Sequence, residues 1–130
     1  MFDNVFGINE QALRLRQQRT ELLASNLANA ETPNYKARDI DFRAAMTGAT
    51  AQQSSMGMAK THHGHLAGFD QGDGAGLVQY RMPTQPSLDG NTVEAHIEQT
   101  LFTDNALQYQ TTLEFIDSRI QRIKGALRGE

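Results

Sequence analysis

The last third of the chain carries an unbroken apolar heptad. Phe102, Ala106, Tyr109, Leu113, Ile116, Ile120, Ile123 and Leu127 are spaced alternately four and three residues apart. Neither proline nor glycine occurs between Asn91 and Gly125. The spacing predicts one amphipathic helix over residues 92–127, about 50 Å long at 1.5 Å per residue. Asn91 reads as its N-cap, with Glu94 three residues later as in a capping box. A helix of this length in a chain of 130 residues cannot be surrounded by its own chain. It needs a partner of similar length, and that requirement narrows the fold more than any other feature.

The partner is at the other end. Residues 8–30 read as a second long helix. Ile8, Ala12, Leu15, Leu22, Asn26 and Asn29 keep the three-four spacing, with Arg19 occupying one place in the stripe. Leu13, Leu23, Leu27 and Ala30 form a second apolar strip beside it. Pro33 disfavours helical angles at Thr32, so the helix should stop near Ala30 or Glu31. Two asparagines on an apolar stripe need a reason. A carboxamide both donates and accepts. Asn29, at the helix end, is placed to serve the turn from Glu31 to Asn34. Asn26, one turn earlier, is placed to reach a packed helix and fix its register.

The middle differs in character. Seven of the eleven glycines lie in residues 48–76, which read as a loop or weakly ordered insert. Leu77 to Met82 reads as a short strand, Pro83 and Pro86 keep the chain extended, and Asp89-Gly90 reads as a turn. The expected organisation is therefore an axial helix with its following turn and extended segment over 1–47, an irregular insert over 48–90, and a second axial helix over 91–130. The fold class is mainly α: two long terminal amphipathic helices pairing as a coiled coil, with a glycine-rich middle and a short β element. Two paired helices enclose little core. Both seams are expected to pack against further chains.

Several functions are disfavoured. The formal net charge is -3, which is not the basic footprint of a nucleic-acid binder. Arg14, Arg16 and Arg19, flanked by Glu10 and Glu21, read as a solvated or neighbour-facing helix surface. The absence of cysteine removes disulfide and thiolate chemistry. The opening MFDNVFGINE has neither the basic start nor the apolar segment of a cleaved secretory signal. No apolar run reaches the roughly 18 residues of a membrane span. The stretch THHGH offers His62, His63 and His65, but adjacent histidines in an extended chain point to opposite sides, so a surface loop is expected and no metal. Asp39, Asp41 and Glu31 have no partner base or nucleophile, Ser54-Ser55 lies in low-complexity sequence, and GDGAG lacks the Lys-Ser/Thr pair of a phosphate loop. Neither an enzyme nor a cofactor is expected.

The stretch SNLANAETPNY resembles the signature near the N-terminus of bacterial flagellar axial proteins. Its pattern falls on Asn26, Leu27, Ala28, Asn29, Thr32 and Tyr35, with Asn34 where glycine is usual; asparagine tolerates the left-handed conformation such a place requires. YKARDIDF, THH at 61–63, YRMPTQPSLDGNTV and DNALQY extend the resemblance to the rod proteins of the basal body, and among these to the proximal rod subunit. It covers the chain except roughly residues 48–60 and 66–76.

That resemblance implies a structural subunit whose terminal helices pair and face the centre of a tubular helical assembly. Leu15, Leu22, Phe102, Tyr109, Leu113, Ile116, Ile120, Ile123 and Leu127 would then form the self-assembly seam. It implies a homo-oligomer within the rod, contacts with other rod subunits, with the adaptor between membrane ring and rod and with the export gate, and a place in the periplasmic rod. It also implies export by the flagellar type III apparatus without signal cleavage. Export signals of this group pair Phe with an apolar residue four positions on; Phe42 with Met46, and Phe2 with Phe6, fit. The competing reading is a soluble coiled-coil adaptor or secretion-system chaperone, which would form a discrete oligomer or heterodimer.

Overall fold

The computed structural model describes residues 3–54 and 78–129. In chain order the elements are helix α1 (Asp3–Ala28), strand β1 (Arg38–Ile40), helix α2 (Phe42–Ser54), strand β2 (Val78–Tyr80) and helix α3 (Ala95–Arg128). The expected class holds: two long terminal helices pack together, with a two-stranded antiparallel sheet pairing Arg38 with Tyr80 and Ile40 with Val78. Phe2, His62, His63, His65 and most of the glycine-rich stretch lie outside the described residues.

The long helices run antiparallel. Asn26 of α1 meets Glu98 of α3, and Asn105, two turns further along α3, meets Arg16 and Thr20 of α1. The second face of α1 carries the small apolar core. Leu15, Ile40 and Ala45 are buried there, with Leu22, Phe42, Met46 and Val78 packed around them. Two helix faces of α1 are therefore occupied, as its paired apolar strips require.

Three local expectations are corrected. α2 is a helix where the sequence reading continued an extended segment and began a loop at residue 48. Asp41 caps it, accepting from the Ala44 amide at 3.1 Å, and Phe42, Ala45, Met46 and Ala49 fall on one face. Helix α1 ends at Ala28, short of the turn before Pro33. Helix α3 begins only at Ala95, with Glu94 in extended geometry and making no side-chain cap.

Candidate functional site

The asparagine-rich end of α1 is the densest polar site among the described residues. Helix α1 ends there with carbonyls that no longer have helical partners. Asn29 donates back to the Ser25 carbonyl at 2.8 Å and accepts from the Thr32 hydroxyl at 3.1 Å. The side-chain amide of Asn91 shares its two hydrogens among carbonyls of the turn that follows: Asn29 at 3.0 Å, and Ala30 and Thr32 each at 2.9 Å. Its own oxygen accepts from the Val93 amide. Asn91 thus ties down the turn that follows α1, and does not cap the N-terminus of α3 as its sequence position suggests. Glu94 turns away too, accepting from the backbone amide and hydroxyl of Thr84; those bonds hold its carboxyl below the usual range.

The turn then threads between two strands of contact. Asn34 adopts φ 61°, the left-handed conformation that glycine usually supplies and asparagine tolerates. Its amide donates to the Asp89 carbonyl at 2.9 Å, and Thr92 donates to Tyr35 at 3.0 Å. Gly90 faces Asn34 closely: a Cβ at Gly90 would stand 2.5 Å from the Asn34 Oδ1. Asp89, exposed, accepts from Ser87 and from the Asn91 amide, which lowers its carboxyl pKa.

Between the two long helices sits a chain of charges and amides. Asn26 is fully buried. Its nitrogen donates to the Arg38 carbonyl at 2.8 Å and to Glu98 Oε2 at 3.2 Å. Its oxygen accepts from the Arg38 amide and, at 3.4 Å, from the Tyr35 hydroxyl, which also meets Ser25. Glu98, likewise fully buried, takes a guanidinium nitrogen of Arg81 on its other oxygen. Arg81 reaches on to Asp39 at 2.7 Å, and Asp39 is gripped on both oxygens by Arg19 at 2.9 and 3.1 Å. Burial raises the Asp39 carboxyl, but the bonds from Arg19 and Arg81 outweigh it and hold the group below the usual carboxylate range. This clasp joins α1, β1, the segment after β2, and α3.

Of the expected arginine surface only Arg14, paired with Glu10, is exposed. Arg19 fills its place in the apolar stripe because Asp39 neutralises it. Arg16 lays its guanidinium 3.9 Å over the Phe42 ring, and burial with the neighbouring Arg19 lowers its pKa. Asn105 is also fully buried, donating to the Arg16 carbonyl and Thr20 hydroxyl. Sequence reasoning did not find Arg81, Glu98, Asn105 or Asn91 in these roles. Glu98 and Asn105 stand seven apart beside the apolar heptad, and that was the available signal.

The structure brings Asn26, Asn29, Thr32 and Tyr35 into one bonded cluster, with Leu27 half-buried and Ala28 exposed. The seam residues are divided. Leu15 and Leu22 pack toward α2 and the sheet. Phe102, Tyr109, Ile116, Ile120 and Ile123 are half-buried along α3, while Leu113 is 43% and Leu127 80% exposed. Phe42 and Met46 pack in the α2 cluster, and Phe6 is half-buried on α1. Among the described residues, no group of acids and histidines is arranged to hold a metal ion, and no helix is long and apolar enough to cross a membrane.

The sequence that builds these features is similar to that of known proteins. A family profile described as "Flagella basal body rod protein" matches residues 8–36, most of α1 and the turn that follows it. The flagellar basal body rod protein FlgB of Aeromonas hydrophila is 49% identical over 130 residues, spanning 99% of this chain and 96% of that protein. The FlgB proteins of Cereibacter sphaeroides and of Escherichia coli K12 are 44% and 40% identical, spanning 99% and 97% of this chain and 98% and 94% of their own lengths.

Proposed function

The chain belongs to the FlgB-type flagellar basal body rod proteins, and from that premise we propose that it polymerises through its terminal helices into the proximal part of the rod. It is a structural subunit, and its work is mechanical. Torque passes along stacked helices because many apolar contacts and buried polar register-setters must slip together. The observation that carries this reading is the α1–α3 pair: a long antiparallel pair with a buried polar clasp at one end and an apolar α3 stripe half-open to neighbours at the other. Leu113, Ile116, Ile120, Ile123 and Leu127 are the residues that other subunits complete. The neighbours are copies of this chain, other rod subunits and the adaptor that joins the membrane ring to the rod.

The protein reaches the periplasmic rod through the flagellar type III apparatus, meeting the export gate in an unfolded form. In the folded chain Phe42 and Met46 are core residues, so an export role for them acts before folding. The test of the whole reading is direct. A tagged chain should co-purify with isolated basal bodies, and its deletion should abolish motility until it is restored. A discrete soluble heterodimer that never enters basal bodies would support the adaptor or chaperone reading instead. For export, Phe42→Ala should lower secreted protein without lowering synthesis, whereas Phe42→Leu, which keeps an apolar packing residue, should lower it less if packing alone matters. Normal secretion of Phe42→Ala and of a Phe2→Ala/Phe6→Ala double variant removes both signals.

A further inference from the structure

Asp73 and Asp89 are followed by glycine, and no asparagine of the chain is. Asp-Gly is the step at which an aspartyl chain rearranges most readily. The amide nitrogen of the next residue attacks the side-chain carboxyl, and glycine has no side chain to hinder the approach. Asp73 lies outside the described residues. Asp89 is exposed, in the segment that closes the turn after α1.

The folded turn engages every group that this reaction must move. Asp89 Oδ1 accepts from the Ser87 hydroxyl at 2.5 Å and from the Asn91 backbone amide at 3.0 Å. Both bonds favour the ionised carboxyl, and a carboxylate is a poor electrophile because it has no hydroxyl to expel. The attacking nitrogen is engaged as well: the Gly90 amide donates to the Ser87 carbonyl at 3.2 Å. The Asp89 carbonyl, on the same peptide plane, accepts from the Asn34 amide at 2.9 Å. The Gly90 carbonyl accepts from the Lys36 ammonium at 2.6 Å. Turning the Gly90 nitrogen onto Asp89 Cγ rotates that plane and breaks the bonds to Ser87 and Asn34 together. The close seating of Gly90 on Asn34, where a Cβ would stand 2.5 Å from Oδ1, opposes the same rotation.

We propose that the Asp89-Gly90 step is a site of spontaneous isomerisation in the unfolded chain, and that closing the turn on Asn34, Ser87 and Asn91 shuts it off. In the unfolded chain the Gly90 nitrogen adds to Asp89 Cγ. A C–N bond forms and a C–O bond breaks. One water leaves, made of the carboxyl hydroxyl and the amide proton. Water then opens the five-membered imide. Addition at Cγ restores aspartate. Addition at the main-chain carbonyl leaves Gly90 joined through Cγ, an isoaspartate with a free α-carboxylate. Nothing is oxidised or reduced, and the one water lost is regained. The product has an extra carbon in its main chain at residue 89. The carbonyl that received the Asn34 amide is now a carboxylate beside the chain. Such a chain cannot remake the contacts to Asn34 and Asn91 in register, so the damage and the closed turn exclude each other.

The full-length protein is incubated in mildly alkaline buffer over a series of concentrations of a stabilising osmolyte, and separately in guanidinium chloride. Far-UV circular dichroism reads the folded fraction. Isoaspartate is quantified with a protein isoaspartyl methyltransferase and located by electron-transfer mass spectrometry. In denaturant it should accumulate at residue 89, and Asp89→Glu, which must close a six-membered ring, should remove that signal. In the folded chain the rate at residue 89 should be at least tenfold lower and should track the unfolded fraction. Ser87→Ala should raise the folded rate and leave the denatured rate unchanged. Isomerised chain, separated by reversed-phase chromatography, should need more osmolyte than untreated chain to reach the same helicity. No isoaspartate at residue 89 in denaturant, or a rate there that ignores the folded fraction, overturns the proposal. Isomerised and untreated chain with equal midpoints would overturn the exclusion of damage by the closed turn.

Discussion

Removing Arg81 isolates the energetics of the clasp. Glu98 is fully buried, and its two oxygens have one partner each: Arg81 and the Asn26 amide. Arg81→Met takes away the cation and fills a similar volume. Asp39 keeps both bonds from Arg19, so the loss falls on Glu98. Breaking a buried ion pair by deleting one partner costs about 3–5 kcal/mol, because the other charge stays desolvated. The Arg81 side chain is 19% exposed, which lets water reach that side of the pair and points to the lower end, about 3 kcal/mol. That is about a hundredfold in the folding equilibrium. With a urea dependence of about 1.5 kcal/mol per molar for a chain of this size, the midpoint should fall by about 2 M. The decisive comparison is Glu98→Gln in the Arg81→Met background. A neutral amide carries no buried charge, so the double variant should regain at least half of the lost stability, and the cycle should show strong coupling. Arg81→Lys should be intermediate, since an ammonium cannot bridge Glu98 and Asp39 as a planar fork does. Far-UV circular dichroism in urea, with an osmolyte added equally to all variants, reads out each midpoint. A midpoint shift below about 0.5 M for Arg81→Met, or a further loss on adding Glu98→Gln, would refute the reasoning.

Asp39 is held ionised by Arg19 and Arg81 against burial, so its folded pKa lies below its unfolded one. Its contribution is complete above the ordinary aspartate value of about 3.9 and is lost as pH falls from there through the folded value; acid titration of stability should show a steeper fall in wild type than in Asp39→Asn. At the turn, Asn34→Gly should be nearly neutral, whereas Asn34→Val, forced to φ 61°, should lower the thermal midpoint clearly. Gly90→Ala should do the same through its left-handed backbone and the 2.5 Å approach to Asn34. Asn91→Ala removes the side-chain donor shared by the Asn29, Ala30 and Thr32 carbonyls in the turn after α1, while those of Asn29 and Thr32 keep their backbone donors. A loss of about 2 kcal/mol is expected, with faster amide exchange through the turn at residues 29–35. Ile120→Asp should still be secreted but fail to enter basal bodies, while exposed Gln121→Asp should support near-normal swimming; equal motility would count against burial of this seam in the rod.

The sequence by itself determined the two long helices and the turn from Glu31 to Asn34, through three-four periodicity and the restriction imposed by Pro33. The left-handed place of Asn34 followed from the resemblance to the axial proteins, which usually have glycine there, together with the conformational tolerance of asparagine. It left α2 unread, although Asp41 and the spacing of Phe42, Ala45, Met46 and Ala49 carried the signal, because α2 runs on into the glycine-rich composition that begins at residue 48. Only the tertiary structure decided where the polar groups go. Asn91 looks like the cap of the helix that follows it, yet it ties down the turn after a helix that ends more than sixty residues earlier. Arg19 looks like a flaw in an apolar stripe until Asp39 is folded beside it. An apolar seam with a period of seven packs about equally well one heptad up or down, so the repeat cannot choose how far α3 slides along α1. Asn26, Glu98, Arg81 and Asn105 make that choice. A buried charge or amide left without its partner costs far more than a shifted methyl group, and which partners meet across seventy residues of chain is a property of the fold, not of any local stretch of sequence.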